Sequence, residues 1–232
     1  MKPLDFAFLL SGEYRDALVA GLVTTLELSG LALVAAFAGG VILAVLRLAP
    51  AAPLRWIAAA CIEFVRNTPL LVQLLFWYFG APQLLPQPVL DWLYARNFEF
   101  FSAFVGLAIY TAAFIAEDIR SGIRAIPRTQ MEAARASGMH YLPSMRLVIL
   151  PQALRAMVPP LVNQALNLVK NSSLAMAIGV AELMYQTREI ESYTFRSFEA
   201  FAAATTIYLV LSLLITAGAA AHEWRATRRR VT

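Results

Sequence analysis

Residues 31–46 read LALVAAFAGGVILAVL, without one charged, hydroxyl or amide side chain. As a helix this run covers about 24 Å, most of a bilayer's apolar thickness of about 30 Å. Either a large soluble core encloses such a run or lipid does. Composition decides between them. The chain has 232 residues, 59% hydrophobic and 15% charged, with a mean hydropathy of +0.63. A soluble domain carries about 25% charged residues, and a chain of this size has too little interior to hide so much apolar surface. The bilayer is therefore the solvent.

In lipid every backbone amide must be satisfied internally, so the fold is read as all-α and integral to the membrane. The chain reads as one transmembrane domain over 1–232, with spans at 17–46, 56–79, 100–116, 151–169 and 201–221. Ala35, Ala36, Gly39 and Gly40 form two small-xxx-small pairs in the first span, which let helix backbones approach closely. The second is interrupted by EFVRNTP, residues 63–69. There Glu63 and Arg66 can pair on one face, and Thr68 can cap a new helix with Pro69 at its first position. Pro159-Pro160 implies a kink or break in the fourth. The N-terminal MKPLDFAFLLSGEYR lacks a small-x-small cleavage site, so the first apolar segment is expected to stay in the protein.

Five spans put the ends on opposite sides, and positive residues orient them. With the N-terminus outside, the inner segments hold Arg47, Arg55, Arg120, Arg124, Arg128, Arg135, Arg146, Arg225, Arg228, Arg229 and Arg230. The outer ones hold Lys2, Arg15, Arg96, Lys170, Arg188 and Arg196. The excess favours N-out and C-in. It makes 118–146 a cytoplasmic loop.

Several function classes find no support. The net charge of +4 is spread along loops and does not indicate nucleic acid. Cys61 stands alone in an apolar run, and His140 and His222 are far apart, so no metal spacing exists. There is no GxxxxGK[ST] phosphate loop, no HExxH and no nucleophile–base pair, so no catalytic residue and no cofactor are assigned to the chain.

The cytoplasmic loop contains TQMEAARASGMHY, residues 129–141. Thr129 and Glu132 have capping-box spacing, and Gly138 supplies a left-handed stop. The helix between them would have about eight residues and be marginal alone in water. It is either a connector packed on its own chain or a docking element for a cytoplasmic protein.

EAA-x3-G, followed by nine residues and Val148-x-Leu150-Pro151, resembles the EAA loop of ATP-binding-cassette importer permeases. Valine stands where that family has isoleucine. EFVRNTPLLVQLLFWYFG (63–80), AEDIRSGIRAIPRTQMEAA (116–134) and LVKNSSLAMAIGVAEL (168–183) are similar to segments of the polar amino-acid branch. Thr129 replaces that branch's usual glycine. The resemblance covers about 18–224 and implies the type I importer fold. It implies that Glu132, Ala133, Ala134 and Gly138, with Pro151, form the element that couples to the ATPase. It further implies two ATPase subunits binding ATP and Mg, a second permease subunit (a copy or a paralogue), an external amino-acid-binding protein and a bacterial inner-membrane location. KNSSLAMAIGVAELMYQTREIE (170–191) looks most like the glutamate/aspartate importers.

A polar solute needs polar groups at membrane depth. Asn163, Asn167, Lys170 and Asn171 fall on one helical face, with Gln164 beside them. Such a stripe faces a water-filled path or forms interhelical hydrogen bonds. Lys170 either attracts a carboxylate or snorkels to the interface. Glu117 and Arg120 at the inner end of the third span have ion-pair spacing. The rival function is an ion-gradient-driven transporter, but neither an inverted repeat nor a mid-span carboxylate is visible.

Overall fold

The computed structural model describes residues 4–228, those beyond 221 as helical backbone alone. Lys2, Arg229 and Arg230 lie outside the described residues, as do the side chains of His222, Arg225 and Arg228.

After a short 3-10 turn, Ala7–Leu10, the chain forms α1, Gly12–Leu48, and α2, Ala52–Asn67. α3, Leu70–Leu75, runs on through a π-helical turn and a 3-10 turn to Leu84. α4 (Gln87–Tyr94) and α5 (Phe98–Arg124) follow, then the short α6 (Arg128–Ala136) and α7 (Tyr141–Ser144). α8 is Leu150–Asn171, extended by a 3-10 segment to Ile178, and α9 (Leu183–Thr194) and α10 (Ser197–Arg228) close the chain. Four helical segments are long and apolar enough to cross a membrane: Gly12–Leu48, Phe98–Arg124, Tyr141–Ile178 and Ser197–Ala221. Ala52–Asn67 with Leu70–Leu84 makes a fifth when the broken pair is counted as one span.

Helices cover each expected stretch and run longer, the second as a pair bent by 104°. The third does not stop at Ala116. It carries Glu117, Asp118, Arg120 and Arg124 as helical residues, because Arg120 neutralises Glu117 within the same helix. Pro159-Pro160 does not break α8, which continues to Asn171. At the second span the break falls one residue later than expected: Thr68 ends α2, and the next helix begins at Leu70 instead of Pro69. The Thr68 hydroxyl donates to the Phe64 carbonyl at 2.8 Å.

The helices form two compact units, one of Met1–Ala32, Leu70–Leu107 and Ala165–Thr232, the other of Leu33–Pro69 and Ala108–Gln164. α1, α5 and α8 run through both. In the second unit the core is built largely from small residues: Ala36, Ala44, Ala112, Ala113 and Ala116, with Ile62 and Ile115. Val34, Phe37, Ile42 and Val45 of α1 are exposed. Small residues inside and large apolar ones outside is the reverse of a soluble domain, and it is what packing against lipid favours. Gly40 shows why. A Cβ there would lie 2.8 Å from the Ile115 Cβ and 3.1 Å from the Ala112 carbonyl oxygen. The sequence-level reading of Gly39 and Gly40 as packing residues agrees with this contact.

The first unit is pinned by a buried carboxylate. Glu182 is fully buried. It caps α9 by accepting from the amides of Met184 and Tyr185, both at 2.9 Å. The Tyr208 hydroxyl of α10 donates to it at 2.9 Å, and the Thr25 hydroxyl of α1 at 3.4 Å. Thr25 also accepts from the Leu183 amide at 3.1 Å. Burial pushes the Glu182 carboxyl above the ordinary carboxylate range, and these four donors act against that shift.

Candidate coupling site and polar path

α6 has nine residues and is about 13 Å long. Its start differs from the capping box. The helix begins at Arg128, with Pro127 as the capping residue and no side-chain cap bond. Thr129 is already helical, so its hydroxyl does not serve as the cap. Instead the Pro127 carbonyl accepts from the Gln130 amide at 3.0 Å. Proline's fixed φ sets the turn that opens the helix, and the side-chain cap expected of Thr129 is not made.

The stop is as expected. Gly138 has φ +85°. Its amide donates to the Arg135 carbonyl at 3.0 Å, and the Met139 amide donates to the Ala134 carbonyl at 3.2 Å. This pair of bonds is a Schellman motif, which satisfies carbonyls that the helix end would leave open.

The two alanines of the EAA sequence separate. Ala134 is buried against its own chain, whereas Glu132, Ala133 and Gly138 are exposed. Gln152 on α8 donates to the Gln130 side chain at 3.3 Å. Pro151 is exposed in the first turn of α8. α6 is therefore anchored to its own chain along one side and exposed along the other.

Along α8, Asn163, Asn167 and Lys170 are exposed, and their side chains have no hydrogen-bond or ion-pair partner among the described residues. Gln164 behaves differently. Its amide donates to the Asp118 carboxylate on α5 at 2.7 Å. One residue of the stripe thus serves as interhelical glue, and Asp118 is the partner that sequence reading did not supply. Nearby, Glu117 and Arg120 form the expected ion pair, with the Arg120 Nε donating at 2.8 Å. The expected Glu63–Arg66 pair is absent among the described ion pairs. Glu63 instead accepts from Asn67 at 3.2 Å, and the Arg66 guanidinium lies 5.2 Å from the centre of the Phe114 ring. Phe114 is distant in sequence, so spacing within α2 gave no sign of it.

Several spans with alanine-lined contacts and one short helix left open are the features of an integral-membrane permease of the type I ABC importer fold, to which the comparisons assign the chain. A solved amino acid ABC transporter with histidines has a chain that superposes with a TM-score of 0.85 at 34% identity, over 96% of this chain and 99% of that one. Residues 31–228 match the binding-protein-dependent transport system inner membrane components, and the chain belongs to that family. It is 42% identical over 198 residues to the probable glutamine ABC transporter permease protein GlnM of Bacillus subtilis (strain 168), over 85% of this chain and 88% of that protein. It is 36% identical over 206 residues to the glutamate/aspartate import permease protein GltJ of Escherichia coli (strain K12), over 87% and 84%.

Proposed function

We propose that this permease carries a polar amino acid inward, with glutamate and aspartate as the first candidates, and that α6 couples it to a separate ATPase. The observation that carries the coupling is the open side of α6. A nine-residue helix is marginal in water, yet this one is closed by a Schellman stop while Glu132 and Ala133 stay exposed. A slim, capped helix held from one side is shaped to seat in a groove of a partner. Closure of two ATPase subunits on ATP and Mg would then move the helix as a rigid body and rock the permease halves.

Acidic substrates are supported by the likeness of residues 170–191 to the glutamate/aspartate branch, by the relative GltJ, and by Lys170, an exposed cation without an ion-pair partner among the described residues. The relative GlnM favours a second reading, glutamine. The complex would include a second permease subunit and an external binding protein. In this reading the N-terminus is outside and α6 is cytoplasmic, as the distribution of arginines favours.

Uptake of labelled glutamate, glutamine and arginine by the reconstituted complex tests the substrate. Competition by unlabelled aspartate against glutamate uptake is the expected result, and uptake of arginine alone would reject it. Substitution of Glu132 and Gly138 together should abolish ATP-driven uptake and weaken co-purification of the ATPase. Normal uptake by that variant would refute the coupling role.

A further inference from the structure

Behind α6 the second unit contains a cavity of about 570 Å³, whose lining includes Leu48, Arg124, Arg128, Met131, Tyr141 and Met145. Its volume falls within the range of ligand-binding clefts, about 300–1,000 Å³. Three properties point to one kind of occupant.

The first is charge. Arg124 and Arg128 are exposed, and neither has an ion-pair or hydrogen-bond partner among the described residues. No carboxylate is among the described residues of the lining. The acidic groups of the same unit are engaged or turned elsewhere: Glu117 with Arg120, Asp118 with Gln164, Glu63 with Asn67, and Glu132 outside the lining. An anion would meet two guanidinium groups without a competing acid.

The second is depth. Leu48 is the last residue of α1 and Arg124 the last of α5. Both helices are spans. Leu48 stands two residues past the uncharged run 31–46, so that side of the cavity lies at the edge of the apolar layer, and Arg124, beyond Glu117 and Asp118 on α5, stands just outside it on the side that bears α6. The third is the wall. Apart from the arginines and Tyr141, the lining is apolar and includes two flexible methionines. A small hydrophilic anion would gain nothing from it, whereas the glycerol and first acyl carbons of a lipid would.

We propose that this cavity, with Arg124 and Arg128 at its charged side and Met131 and Met145 in its apolar wall, binds the headgroup of an anionic phospholipid. Basic pockets beside span ends recognise such headgroups by this combination of charge and depth. The lipid would contact Met131 and Arg128 of α6 itself. The assignment is independent of which solute is carried.

The test uses the purified complex in native mass spectrometry, titrated separately with phosphatidylglycerol, phosphatidylcholine and glycerol 3-phosphate. The wild type should retain phosphatidylglycerol in preference to the other two. R124Q/R128Q should weaken the tightest phosphatidylglycerol site by about thirtyfold, from two lost cation–anion contacts. R124K/R128K keeps the charges and should retain most of the binding, which separates recognition from misfolding. Equal phosphatidylglycerol binding by the wild type and R124Q/R128Q would overturn the proposal. So would tight binding of glycerol 3-phosphate alone, or loss of the ATPase subunit from the glutamine variant with lipid binding unchanged.

Discussion

At the residue scale, two positions decide local structure by different physics. Gly138 is needed for its backbone, since φ +85° costs a residue with a Cβ about 1–2 kcal/mol. Gly138→Asn should be tolerated better than Gly138→Ala, and Gly138→Val least, as read by ATP-driven uptake at equal expression. If the valine variant transports normally, the Schellman stop has no part in coupling. Glu182 is needed for its two acceptor oxygens and its shape. A glutamine in its place would offer one acceptor oxygen to four donors and add an amide that faces them. We expect Glu182→Gln to destabilise the permease by about 2 kcal/mol, and Tyr208→Phe by about 1 kcal/mol. Thermal unfolding in detergent measures both, and an unchanged midpoint for Glu182→Gln would contradict the network. Gly138 was legible because glycine after a helical run has few other uses. Glu182 was not, because its partners lie far away in the chain: Thr25 is 157 positions earlier and Tyr208 is 26 later.

At the element scale, helix existence was legible and helix ends were not. Apolar length reveals a span, but an ion pair or a proline decides where it stops. α5 runs past Ala116 because Arg120 answers Glu117 one turn on. α6 starts at Arg128 because Pro127 imposes the turn that Thr129 was expected to cap. The EAA spacing identified α6, yet it could not say which alanine faces outward, since either orientation preserves the spacing. Packing between elements is also testable. Gly40→Ala puts a methyl against Ile115 and the Ala112 carbonyl, and overpacking of this kind costs about 1–3 kcal/mol. Ile115→Ala should rescue part of the loss by making room. A double variant no more stable than Gly40→Ala alone would mean that Gly40 matters for another reason.

At the scale of the whole molecule, the count of arginines makes a topological prediction. With Cys61 replaced, a single cysteine at His140 should react with a membrane-impermeant thiol reagent only from the cytoplasmic side. One at Ser192 should react only from outside. Both positions are exposed. The reverse pattern would invert the proposed orientation and place α6 on the wrong side for an ATPase.

Composition and the apolar runs by themselves determined the helical class and lipid as the solvent, with four long apolar helices and a fifth span where the bent pair is counted as one. These follow from transfer free energies that each segment carries wherever it sits. The EAA spacing determined where a partner is expected to engage, because a short helix with a glycine stop is a local object. Only the tertiary structure decided that Gln164 binds Asp118 while Asn163 and Asn167 stay open, that Arg66 lies over Phe114 and leaves Glu63 aside, and that Arg124 and Arg128 share one cavity. Those outcomes depend on which helices approach each other, and the helices' own sequences permitted more than one arrangement.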